Sequence, residues 1–171
     1  VDITALVFDG VITLEVLAPI EAAASAAPVS VRFVSRRRGR CKGFEPFHVF
    51  SVDADLTDVH STDLLIVPGG FGSTAMMTDP SVTTWIWATA HRSRRVMSVS
   101  TGSLLLAAAG LLDGAEASGH WLAHDLLAAT GARPTNAPVS HNGSIITTAG
   151  SVAAATAARN LPERLLFGPA A

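Results

Sequence analysis

With 171 residues and a net charge of −2, the chain has material for one hydrophobic core, so a single domain over residues 1–171 is expected, and it lacks the broad basic footprint of a nucleic-acid binder. Apolar residues make up 49% and charged residues 15%, against roughly 25% charged in ordinary globular domains, a surplus of core material that also favours burial against a second copy. One cysteine, Cys41, excludes an internal disulfide; no apolar stretch reaches the ~20 residues of a membrane span, and the first residues read as a short strand rather than a charged leader, so a cytoplasmic soluble protein is expected.

Ile3 to Phe8 is a continuous apolar run stopped by Asp9-Gly10, the pattern of a strand buried on both faces. Leu14 to Ala27 is Ala-rich and helical up to Pro28, and Val29 to Ser35 is a second strand. From Arg36 to Asp58, charges and glycines mix with the alternating Phe47-His48-Val49-Phe50-Ser51-Val52, so a hairpin or edge strands are expected, with Arg36 to Arg40 in a solvated turn. Asp63 to Val67 is another buried strand, ended by Pro68-Gly69-Gly70. Asp79-Pro80 starts a helix that runs from Ser81 to His91, with proline in the first turn where its missing N–H is not needed.

Arg94 to Val99 is the next strand, Gly102 to Leu112 a helix and Ala115 to Ser118 a short strand. A helix from Trp121 to Thr130 ends at Gly131, in the place of a left-handed C-cap. Asn142-Gly143 lies between Val139-Ser140 and Ser144 to Thr148, a two-residue hairpin signal. Val152 to Asn160 is the last long helix, and a short one is expected after Pro162. Strands alternating with helices predict an α/β fold: a single-domain three-layer sandwich, its sheet mostly parallel with helices on both faces. Ligands bind such sheets outside the carboxyl ends of the strands, here the loops at Asp9, Pro68 to Gly72, Ser100 and Ala149-Gly150.

Ser98-Val99-Ser100-Thr101-Gly102 joins a strand directly to the helix-forming Leu104 to Ala109. So sharp a strand-to-helix turn forces its central residue into strained backbone angles and needs small neighbours two positions away, which Ser98 and Gly102 supply. Ser100 would then project its hydroxyl at the top of the sheet as a nucleophile elbow, with the N–H groups of Thr101 and Gly70 as two oxyanion donors. The plain alternative is that Ser100 only caps a helix.

Val96 to Gly114, VMSVSTGSLLLAAAGLLDG, resembles the ThiJ/PfpI motif around that superfamily's nucleophilic cysteine, S-V-C-T-G-A followed by an apolar helix and A-G-L-L-D-G. Leu6 to Gly10, Leu14-Glu15 with Pro19-Ile20-Glu21, Asp63 to Gly70 (DLLIVPGG), Gly119-His120-Trp121 and Gly143 to Gly150 follow in the family's order. The resemblance implies the glutamine amidotransferase-like fold, two-fold homodimers, and affinity to the isonitrile hydratase-like branch or to the sensor domain of AraC-type regulators. The helix-turn-helix half of those regulators is not in this sequence, which favours the hydratase-like branch.

Position 100 departs from the family: serine stands where the cysteine is usual. A thiol is readily ionised at a helix start, whereas a serine hydroxyl stays protonated unless a base removes its proton. Either the cysteine was deliberately replaced or this is a natural member with altered chemistry. Glu15 takes the place of the family's catalytic aspartate; its plain reading is a helix-start carboxylate. His120 follows the elbow at the spacing where the superfamily often places its histidine, and is otherwise a structural histidine. The remaining histidines show no metal-ligand spacing and the lone cysteine gives no thiolate cage, so no metal is expected; Gly69-Gly70-Phe71-Gly72 lacks the Gly-Lys-Ser/Thr of a phosphate loop and reads as an oxyanion and pocket loop.

The resemblance implies hydration of an isonitrile to an N-substituted formamide without metal or organic cofactor. Residue 100, as cysteine, attacks the isonitrile carbon, Glu15 moves protons, and Thr101 holds nucleophile or substrate. Phe71 and Trp121 are candidates for an apolar wall, with packing as their default role, and Gly70 and Gly150 line the pocket. Two other readings stay open: a non-catalytic ligand-sensing domain, and a lyase or cyclase using Glu15 as acid and base.

Overall fold

A computed structural model describes residues 1–45 and 48–161. Phe47 of the expected alternating segment and the short helix expected after Pro162 lie outside the described residues. The chain forms β1 (Asp2–Leu6), α1 (Thr13–Ala24), β2 (Ser30–Ser35), β3 (Gly39–Lys42), β4 (Val49–Val52), β5 (Ala54–Asp55) and β6 (Leu64–Val67). There follow α2 (Ser73–Met77), α3 (Pro80–Ala90), β7 (Arg95–Val99), α4 (Gly102–Ala108), β8 (Glu116–Ser118), α5 (His124–Ala129), β9 (Arg133–Thr135), β10 (Val139–Asn142), β11 (Ile145–Thr148) and α6 (Ser151–Arg159).

Seven strands make the main sheet in the order β10-β11-β7-β6-β1-β2-β5, all parallel except β10, which pairs antiparallel with β11 across the Asn142-Gly143 turn. The apolar runs of β1, β6 and β7 are buried because helices cover both faces. The step from β1 to β2 and the step from β6 to β7 run in opposite directions along the sheet, so right-handed crossovers put their helices on opposite faces. Accordingly α1 packs against α6 on one face, while α2, α3 and α4 pack together on the other. This is the three-layer α/β sandwich expected of the sequence.

The reversal of strand order falls between β1 and β6, where an open α/β sheet leaves a crevice. Register then aligns the loops. Ala5 pairs with Ile66 and Ile66 with Met97, so three residues further on Phe8, Gly69 and Ser100 stand at one level.

Several boundaries differ from those expected. β1 ends at Leu6 rather than Phe8, although the Val7 N–H still reaches Val34 O at 2.8 Å. α4 stops at Ala108 instead of Leu112, where Gly110 turns the chain at φ +75. The helix expected from Trp121 is a 3₁₀ turn (Trp121–Ala123) leading into α5, with Gly131 left-handed beyond its end at φ +90. The region after Arg36 holds both expected forms: β3 and β4 are an antiparallel hairpin in a sheet of their own, and β5 is an edge strand beside β2. Two elements were not foreseen. α2 is five residues long, too short for a helical period to show, and β9 contains Pro134, which argues against a strand except at an edge such as this one.

Candidate active site

Ser100 has φ 58 and is, among the described residues, the one non-glycine in the left-handed region. Such a backbone costs on the order of 1–3 kcal/mol and persists only when its surroundings enforce it. They do. The Ser100 N–H donates to Thr148 O (2.9 Å), which ties the elbow to β11, and the Ser100 carbonyl accepts from the Ser103 hydroxyl (2.9 Å). Gly102 sits so close to β6 that a Cβ there would strike Val67 O and come within 2.9 Å of the Pro68 carbonyl. The requirement for a small residue two places after the elbow is thus a clash between backbone layers. Ser100 is not the side-chain cap of α4, whose N-cap position is Thr101 and carries no side-chain cap bond.

Glu15 comes from the first turn of α1 and points into the same crevice, with only 5% of its surface exposed; Ser100 has 3%. Its Oε2 accepts the Gly69 N–H at 2.8 Å, and the Ser100 hydroxyl beside it favours the charged form. Burial pushes the Glu15 pKa up from 4.5 to about 7; Ser100 and the Gly69 N–H restrain the rise, and the negative charge of Glu45 adds to it. Loss of hydration disfavours the carboxylate more than these two groups can restore. A carboxyl poised near neutrality can both give and take a proton, the property general acid–base catalysis needs.

Thr101 is placed beside this pair, with its hydroxyl engaged by the loop after β6. Its Oγ1 accepts the Gly70 N–H (3.0 Å) and bonds the Ser73 hydroxyl (3.1 Å). The Gly70 N–H is therefore engaged, and the expected pair of oxyanion donors is reduced to the Thr101 N–H, which donates to no described residue. Gly69 explains how the segments fit. A Cβ there would collide with Thr101 Oγ1 and stand 2.7 Å from both Glu15 Oε2 and the Thr101 nitrogen. Gly69, in the loop already expected at the pocket, and Ser73, which was not singled out, both belong to this cluster. The adjacent glycines after β6 hinted at the first, whereas Ser73 lies in the unforeseen α2.

The outer candidates separate from this core. His120 caps the 3₁₀ turn, its Nδ1 accepting the Leu122 N–H at 3.3 Å, and makes no hydrogen bond to Ser100. Its neighbour Gly119 is the residue that approaches the elbow, since a Cβ there would stand 3.4 Å from Ser100 O. Trp121 is 69% exposed and stacks on the His120 ring, and Phe71 is 73% exposed and stacks on Phe44 with centroids 4.3 Å apart. Neither closes an apolar wall. They stay at the surface because the 3₁₀ turn and the Gly70-Phe71 loop carry them outside the helical layers. Gly150 ends β11 in extended backbone with open space around its Cα, so nothing packs it against the crevice. Among the described residues no group of three or more His, Cys, Asp or Glu is arranged to hold a metal ion, and no helix is long and apolar enough to cross a membrane.

Comparison with known proteins agrees with this arrangement. The chain is 41% identical over 104 residues to the isonitrile hydratase of Pseudomonas putida, a match covering 61% of this chain and 46% of that enzyme. It is 44% identical over 69 residues to the HTH-type transcriptional regulator GbdR of Pseudomonas aeruginosa, covering 40% of this chain and 18% of the regulator. The matches thus span about half the length of the hydratase and about a fifth of the regulator. Among solved structures, a ThiJ/PfpI family protein from Pseudomonas syringae superposes with a TM-score of 0.88 at 28% identity, covering 96% of this chain and 68% of that one. The DJ-1/PfpI family model matches residues 1–163, nearly the whole chain, and together with the strained elbow and the buried carboxyl beside it this shows that the chain belongs to the DJ-1/PfpI family.

Proposed function

We propose that this domain carries an isonitrile-hydratase-type site in which residue 100 is the nucleophile position and Glu15 the proton carrier. The observation that supports it is their juxtaposition: a buried carboxyl with a pKa of about 7, held by the Gly69 N–H beside the side chain on the strained elbow. The partial identity to an isonitrile hydratase supplies the reaction class.

For a thiol at position 100 the chemistry balances as follows. The thiolate sulfur bonds to the terminal isonitrile carbon, and Glu15 gives that carbon a proton, leaving a thioimidate and a carboxylate. Water adds across the C=N bond, its oxygen to carbon and its proton to nitrogen by way of Glu15. The C–S bond then breaks, the hydroxyl proton returns to Glu15, and the N-substituted formamide leaves. The Thr101 N–H faces this position as a main-chain donor. With Ser100 the first step is unfavourable, because a carboxylate of pKa about 7 withdraws a proton from an aliphatic hydroxyl in only a minute fraction of molecules.

Formamide production from a panel of alkyl and aryl isonitriles, measured for this chain and for Ser100→Cys, tests the proposal. Turnover by Ser100→Cys at least ~10²-fold above the parent is expected, the usual scale of one activated catalytic group. Absence of turnover in both would overturn it. A second reading, a ligand-sensing domain, is favoured by the match to GbdR and by the missing thiol. Tight binding of a small molecule without turnover in either variant would select it.

A further inference from the structure

Arg36 to Arg38 stand exposed on the solvated turn expected of them, and Arg40 follows, also exposed, on β3. They wall a cleft of about 810 Å³ at the carboxyl end of β2, opposite the start of α2 and the Ser81 side of α3. Gly39, at φ +122, reverses the chain between them, so that Arg40 on β3 faces the same cleft as Arg36, Arg37 and Arg38.

Their bonding divides them. Arg36 pairs with Asp79 Oδ2 at 2.8 Å, and Arg38 pairs with Asp58 Oδ2 at 2.8 Å and donates to Asp53 O at 3.0 Å. Arg37 and Arg40 have neither an ion pair nor a hydrogen bond among the described residues. Two carboxylates also face the cleft, and both are engaged elsewhere. Asp79 accepts from the Ser81 N–H and hydroxyl as well as from Arg36, and Asp9 accepts the Lys42 N–H at 2.9 Å. The four guanidiniums outnumber the three carboxylates beside them, Asp9, Asp58 and Asp79, and the donors left free among the described residues are those of Arg37 and Arg40.

We propose that this cleft is a binding site for a small oxyanionic molecule whose phosphate or carboxylate groups are gripped by Arg37 and Arg40. Guanidinium forks match both groups bidentately, and the carboxylate-anchored Arg36 and Arg38 hold the wall in place before the ligand arrives. The volume is ample for a molecule of nucleotide or tricarboxylate size. None of these arginines belongs to the Ser100 site, so the proposal stands apart from the reading of that site.

Calorimetric titration with inorganic pyrophosphate and, separately, with citrate tests it on the chain and on two double variants. Arg37→Ala/Arg40→Ala removes the free donors, and Arg92→Ala/Arg159→Ala lowers the net charge equally through exposed arginines elsewhere. All four arginines are exposed, so both variants should fold, which thermal melts would verify. Saturable one-to-one binding is expected, weakened at least ~10-fold in Arg37→Ala/Arg40→Ala, or about 1.4 kcal/mol, and unchanged within about twofold in the control. Pyrophosphate binding without citrate binding would make the site phosphate-selective, and the reverse carboxylate-selective. No saturation with either anion, or equal weakening in both variants, would overturn the proposal, since diffuse surface charge would then account for it.

Discussion

Replacing Glu15 by glutamine separates the buried carboxyl's charge from its shape. The glutamine carbonyl can still accept the Gly69 N–H, and its amide can still meet the Ser100 hydroxyl, so the fold should survive while ionisation is lost. Below about pH 4.5 the Glu15 carboxyl is protonated in both the folded and the unfolded chain. Between 4.5 and about 7 the unfolded chain releases this proton and the folded chain keeps it, so stability falls by about 1.4 kcal/mol for each pH unit. Above about 7 both states are ionised and the loss is complete, at about 3 kcal/mol for this one group. Urea denaturation of both proteins at about pH 5 and about pH 8 checks this. The Glu15→Gln variant should lack this component, so its stability should gain about 2.5 kcal/mol relative to the parent between these two conditions, part of the loss having occurred by about pH 5. Parallel pH dependences would refute the perturbed carboxyl, and with it the case for a proton carrier beside the elbow. In a Ser100→Cys background the same substitution should lower formamide production ~10²-fold or more, with ligand affinity within a few-fold.

Other expectations follow from the same geometry. Ser100→Cys should introduce a thiol that alkylates well below pH ~8.5, the range of a free cysteine. The parent should stay nearly silent, because burial and the neighbouring Asp9 push the Cys41 pKa up to about 12; a new thiol titrating like free cysteine would contradict an activating elbow. Gly69→Ala should destabilise the fold by about 1–3 kcal/mol, the scale of overpacking, since the added methyl meets Glu15 and Thr101; an unchanged urea midpoint would show that the crevice has slack. A two-fold dimer is expected from the apolar composition and from exposed Trp87, Trp121 and Leu122. Light scattering at micromolar concentration should give twice 17.7 kDa, and the mass of one chain would reject the dimer.

The elbow was legible because its sequence signature is local, a buried strand running directly into a helix with Gly102 two places after Ser100, although the contacts that enforce it come from β6 and β11. The α/β class was legible for a similar reason, since buried strands alternating with helices have few ways to pack. Exposed aromatics misled. Phe71 and Trp121 were assigned to a pocket wall by residue type, and only the paths of the Gly70 loop and the 3₁₀ turn show that they face outward.

The arginine run is the exposed turn expected of it, but only the tertiary structure shows that it also walls a cleft, with Arg36 and Arg38 tied to Asp53, Asp58 and Asp79. By itself the sequence determined the fold class and the elbow at Ser100, and family resemblance singled out Glu15. Only the tertiary structure decided which groups act together. Glu15, Gly69 and Ser100 lie on segments that crossovers and strand register bring to one level, and the shifted pKa comes from burial beneath those segments, a property no stretch of sequence carries alone.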